Sequence, residues 1–153
     1  ADNSATGGGS TANPMDVVIN EIMYDPANET NEWIELKNNK DYAIDLSDFW
    51  VRIGSGAAFP LTGMVIQPSG YLVVVNRLTN AGATFEKDFG DGNNVWGNDL
   101  QYETYFPFQR KQNFLIANGG TTISLSNAGV FIDSVTFSDT RGGVQAGVTK
   151  RSL

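Results

Sequence analysis

Residues 121–137 read TTISLSNAGVFIDSVTF, and their pattern decides the fold class. In the first half, Ile123 and Leu125 are separated by Ser124. A period of two is the mark of a strand with one buried face. Asn127-Ala128-Gly129 then supplies a hairpin turn. The chain returns as VFIDSVTF, 130–137. Strict alternation puts Phe131, Asp133, Val135 and Phe137 on one face, and Val130, Ile132, Ser134 and Thr136 on the other. A hairpin with an apolar face needs a second layer to cover it.

The same rhythm extends upstream. YLVVVN (71–76) is nearly all apolar, which predicts burial on both faces. Pro68-Ser69-Gly70 turns the chain into it from a short strand between Leu61 and Ile66. IDLSDFWVRI (44–53) holds a turn-like LSD and then a strand through Phe49, Val51 and Ile53. NEWIELKN (31–38) places Trp33 and Glu35 on one face, Ile34 and Leu36 on the other. VVINEIMY (17–24) is β-prone and stops at Asp25-Pro26. Helical periodicity is nearly absent. Short strands separated by Gly, Pro and Asn turns predict an all-β sandwich or barrel. The segment 77–114 breaks the rhythm, and connections of that length are usually functional or disordered. Its many aromatics argue against disorder.

Composition narrows the function. The 153 residues suit one domain. With no Cys there is no disulfide framework and no thiol nucleophile; with no His there is no Ser-His-Asp triad. A net charge of −7, with only 10 Lys and Arg, argues against nucleic acid as a partner, because that affinity is dominated by phosphate neutralisation. No apolar run has the length of a transmembrane helix. Residues 1–15 are small and polar and are expected to form a disordered lead-in, with the domain spanning 16–153. A start at Ala1 followed by DNSATGGGSTANP is expected of a secreted or cell-surface protein whose signal peptide has been removed, or of a domain that follows a linker.

The ordered set INEIMYDP (19–26), EWIELKNN (32–39), IDLSDFWV (44–51), PSGYLVVV (68–75) and LIANGGTTISLSNAGVFIDSVTF (115–137) resembles the bacterial form of the lamin-tail domain. The likeness covers about residues 17–140. It implies an immunoglobulin-like β-sandwich without the Cys…Trp…Cys core of antibody domains. It also implies a non-catalytic binding or tethering module that mediates protein–protein interaction. In bacteria such modules stand on exported or surface proteins, often beside hydrolase domains, so the resemblance implies as partner either another protein or the catalytic domain of the host polypeptide. The sequence departs from the family pattern at 99–113, which reads as an insertion, and at Asp48, where many members carry Gly.

Three constellations carry chemistry. Trp96, Tyr102, Tyr105, Phe106 and Phe108, with Arg110 beside them, form a candidate ligand platform. Aromatics and Arg are enriched where proteins bind partners, and flat rings also stack on sugars. This supports a protein partner first and a carbohydrate-binding accessory module second. The competing readings are a loop folded back as a cap on the sandwich, and burial in a homodimer. Asp88, Asp91, Asn93 and Asp99 offer the hard oxygen ligands that calcium takes, though not at EF-hand spacing. The competing reading there is an Asx-rich turn. Glu21 and Glu35, with Glu32, Asn20 and Asn38 nearby, support acid–base work only if one carboxyl is buried and raised; the competing reading is backbone satisfaction and ion pairing. No catalytic residue is assigned from the sequence.

Overall fold

The computed structural model describes residues 12–26, 32–75, 109–111, 114–138 and 151–152; for 109–111 and 151–152 only the backbone is described. The described residues contain strands and turns and no helix. In chain order the strands are β1 (Val17–Asp25), β2 (Trp33–Asn38), β3 (Ile44–Asp45), β4 (Phe49–Ile53), β5 (Phe59–Pro60) and β6 (Val65–Ile66). They are followed by β7 (Tyr71–Val75), β8 (Gln109–Lys111), β9 (Gly120–Asn127), β10 (Val130–Ser138) and β11 (Arg151–Ser152). The expectation of an all-β fold is met.

Two main sheets make the sandwich. One has the order β11-β1-β2-β7-β8, the other β10-β9-β4-β5, and β3 pairs with β6 in a small third ladder. Pairing is antiparallel except between β7 and β8, which run parallel. The inner faces share one core. Ile22, Tyr24, Ile34, Leu36, Leu72 and Val74 come from the first sheet; Phe49, Val51, Phe59, Ile123, Leu125, Ile132 and Phe137 come from the second. Tyr24 and Phe137 meet across the layers with ring centroids 4.7 Å apart.

Two β-bulges set which side chains reach that core. In β1 the register shifts between Ile19 and Glu21, so Val17 and Ile19 point inward before the shift and Ile22 and Tyr24 after it. In β10 the register shifts between Phe131 and Asp133. Strict alternation grouped Phe131 with Val135 and Phe137, and the bulge overturns that grouping. Ile132 is buried in the core and Phe131 is turned out to solvent. The sequence does not announce the bulge, because the extra residue looks like any other member of the strand.

Polar side chains close the structure where the ladders stop. Asp133, beside the bulge, accepts the backbone N–H of Ile19 at 2.8 Å and so bridges β10 to β1. Asn38 is fully buried; its Nδ2 donates to the carbonyls of Tyr42 and Gln67, and its Oδ1 accepts the N–H of Lys40. Asp16 forms an ion pair with Lys40 at 2.8 Å. Burial alone would raise the Asp16 carboxyl, but hydrogen bonds from Lys40 and Asn13 outweigh it and hold the group below its ordinary value.

Candidate functional site on the outer sheet faces

The sequence-predicted residues fall into two groups. Trp96, Tyr102, Tyr105, Phe106 and Phe108 lie outside the described residues, as do Asp88, Asp91, Asn93 and Asp99. The backbone of Arg110 lies in β8, paired with Val74. Among the described residues no group of three or more His, Cys, Asp or Glu could hold a metal ion.

The glutamates are described, and the structure separates their roles. Glu32 is buried and its Oε2 accepts the backbone N–H of Ile116 at 3.0 Å. This is backbone satisfaction, since a buried N–H without a partner is costly. Glu21 and Glu35 stand directly opposite each other on β1 and β2. Glu35 is buried, and Asn20 donates its side-chain N–H to Glu35 Oε1. Burial pushes the Glu35 carboxyl above its ordinary value; the Asn20 bond works against that shift, Glu21 adds to it and Lys37 opposes it. The result is a protonatable group inside the outer face of the first sheet. Trp33 on β2 and Val73 and Val75 on the neighbouring β7 are buried too.

The outer face of the second sheet is different. Its strand β4 alternates cleanly: Phe49 and Val51 are buried, while Trp50 and Arg52 are exposed. Cross-strand partners share a face, so the register can be read across the sheet. Phe131 of β10 pairs with Ser126 of β9; Ser126 pairs with Trp50 of β4; Trp50 pairs with Pro60 of β5. One row therefore runs Phe131–Ser126–Trp50–Pro60. The next row runs Ser134–Ser124–Arg52. Beyond it, the hydroxyls of Thr122 and Thr136 lie 2.8 Å apart. Trp50 is 43% exposed and Phe131 56% exposed. Arg52 Nη1 donates to the carbonyl of Gly56 at 3.1 Å, which steadies the guanidinium beside the row. No carboxylate stands in these rows.

Local rules explain how Phe131 comes to be there. Ala128 and Gly129 both have positive φ, 47° and 82°, the signature of the two-residue hairpin turn whose twist matches the flanking strands. The bulge that follows keeps Phe131 outside while letting Ile132 reach the core. At the far end of the hairpin, Gly120 has φ 106°, and a Cβ there would overlap the Phe137 carbonyl oxygen and the Ser138 Cα. Sequence reasoning missed this face. The signal for Trp50 was present, since it alternates with Phe49 and Val51. The signal for Phe131 was hidden by the bulge.

A family model described as Lamin Tail Domain matches residues 10–139. The chain belongs to that family. The match spans the sandwich from before β1 to the end of β10, and the two packed sheets are the immunoglobulin-like fold of a lamin-tail domain. A comparison with curated proteins gives no match. A lamin-tail domain is a general immunoglobulin-like module, typically non-catalytic. No helix among the described residues is long and apolar enough to cross a membrane.

Proposed function

We propose that this lamin-tail domain is a non-catalytic binding module that tethers the polypeptide carrying it to a partner through the outer face of its four-stranded sheet. One observation carries the reading: Trp50 and Phe131 are exposed in a single cross-strand row, beside the row of Arg52, and neither row holds a carboxylate in a chain of net charge −7. Exposed apolar groups in contiguous patches work against solubility and mark interaction sites. Interface cores favour aromatics and Arg and are depleted in Lys, Asp and Glu. That composition suits a protein partner, as the family resemblance implies. A glycan suits the spacing of the rings. The exported, cell-surface setting expected from the sequence belongs to the same proposal.

The absence of cysteine gives a direct test, because one introduced thiol is a unique handle. Ser126→Cys, labelled with a photo-crosslinker and mixed with an envelope-containing extract of the producing cells, should yield a discrete adduct. Asp41→Cys, on an exposed turn, should not. Trp50→Ala in the Ser126→Cys background should remove the adduct. Equal adducts at both positions, or none at Ser126, would refute docking of a protein on this face.

A further inference from the structure

We infer that the partner of this face is an extended, uncharged β-1,4-linked polysaccharide, lying across the strands with alternate sugar residues stacked on Trp50 and Phe131. The inference rests on the binding-module reading and names its ligand.

The spacing comes from the register. Phe131 and Trp50 flank Ser126 one strand to either side. Neighbouring strands lie about 4.8 Å apart, so the two aromatic positions are separated by about 10 Å. That is the separation of alternate residues in an extended β-1,4-linked chain. The small Ser126 between them leaves room for the intervening sugar. Each sugar has an apolar face of C–H groups, which suits an aromatic ring, and an edge of hydroxyls, which needs hydrogen-bond partners. The adjacent row supplies those partners. Ser124 and Ser134 each offer a donor and two acceptor lone pairs, and Arg52 keeps further N–H donors beyond the one given to Gly56.

Charge points the same way. The chain as a whole repels anions, yet these rows hold one guanidinium and no carboxylate. With Asp48 exposed two residues before Trp50 and Arg52 two residues after it, the surroundings carry one charge of each sign and favour neither a polycation nor a polyanion. A neutral, hydroxyl-rich chain meets a face of matching character. The exposure is also on the right elements. Both rings stand on paired strands rather than on a loop, so their separation is fixed before binding and little ordering cost follows.

The test uses native affinity electrophoresis of the full chain in gels containing hydroxyethyl cellulose, β-1,4-mannan or, as the control, α-1,6-linked dextran. Retardation by a β-1,4-linked polymer, with unchanged mobility in dextran, is the expected result. Trp50→Ala and Phe131→Ala should each abolish it while leaving the melting temperature within a degree or two of the parent. Chain length sharpens the geometry, because two residues reach one ring and three reach both. Tryptophan fluorescence titration should find cellotriose binding about tenfold tighter than cellobiose, and Phe131→Ala should erase that difference. Mobility unchanged in both β-1,4 polymers overturns the inference, as does equal retardation in dextran or retardation that survives both substitutions. If the sugars fail while Ser126→Cys still crosslinks to a protein, the ligand is wrong and the binding module stands. If both fail, the binding reading falls with it.

Discussion

The two sheets of this sandwich have outer faces of opposite character, and each carries a tryptophan. Trp33 on β2 is 7% exposed, among buried Met23, Glu35, Val73 and Val75. Trp50 on β4 is 43% exposed, among hydroxyls, a guanidinium and Phe131. The inner faces of the same strands are alike, contributing Ile34 and Leu36 in one case and Phe49 and Val51 in the other. The core therefore does not distinguish the sheets. The difference is written in the strands that flank each tryptophan. β7 reads YLVVV, apolar on both sides, and a strand of that kind is stable only with both faces covered. β9 reads GTTISLSN, apolar on one side only. An aromatic beside the first kind of strand is structural. Beside the second kind it is available for contact.

The comparison breaks most visibly through stability. Trp33→Ala should cost about 3–5 kcal/mol, the usual loss for a buried tryptophan, and should lower the denaturant midpoint sharply. Trp50→Ala should change stability by no more than about 0.5 kcal/mol, as expected of an exposed position. Matched urea melts of the two variants measure both. A large loss at Trp50 would show that its ring packs, and the exposed-face reading would lose its foundation.

The polar residue on each outer face sharpens the contrast. Ser124 and Ser126 are half-exposed, whereas Glu35 is buried with its carboxyl raised, by burial first and by Glu21 opposite. A carboxyl that is harder to ionise in the folded state makes folding bind protons. Its contribution to stability is complete below the unfolded value, near 4.5, and is lost as pH rises through the raised folded value. Glu35→Gln removes that loss and keeps an oxygen to accept from Asn20. The variant should therefore be more stable than the parent at neutral pH and should converge with it near pH 4, in urea melts across the range. A parent and variant that differ equally at every pH would show that the carboxyl does not titrate with folding.

Much of the fold is legible in the sequence. The all-β class, the inward Ile34 and Leu36, the paired faces of Trp33 and Glu35 and the two-sided burial of Leu72–Val75 follow from alternation and from apolar runs. The family resemblance was carried by the same strands. Alternation failed where a bulge adds a residue, at Asn20 and again at Ile132, because the period of two restarts without any change in composition. Composition points instead to the aromatic-rich segment 77–114. The exposed pair is conspicuous only in register, since Trp50 and Phe131 are 81 positions apart in a sequence that never sets them side by side.

The smallest expected effect bears on how that register is held. The hairpin that presents Phe131 turns at Ala128 and Gly129, both in the left-handed region. Glycine adopts that region freely, but alanine at φ 47° carries a penalty of about 1 kcal/mol. Asparagine tolerates it and is the preferred first residue of this turn. Ala128→Asn should therefore raise the melting temperature by about 2–4 °C. The backbone N–H of residue 128 bonds to the Asp48 carbonyl at 2.9 Å, and the substitution leaves that bond in place. Because the turn type is unchanged, the β9–β10 register is kept and Phe131 stays opposite Ser126. Ligand affinity should then equal that of the parent. A variant that is more stable but binds less well would mean that the face works by yielding at the hairpin, and that the strained alanine is part of how the exposed sheet differs from the buried one.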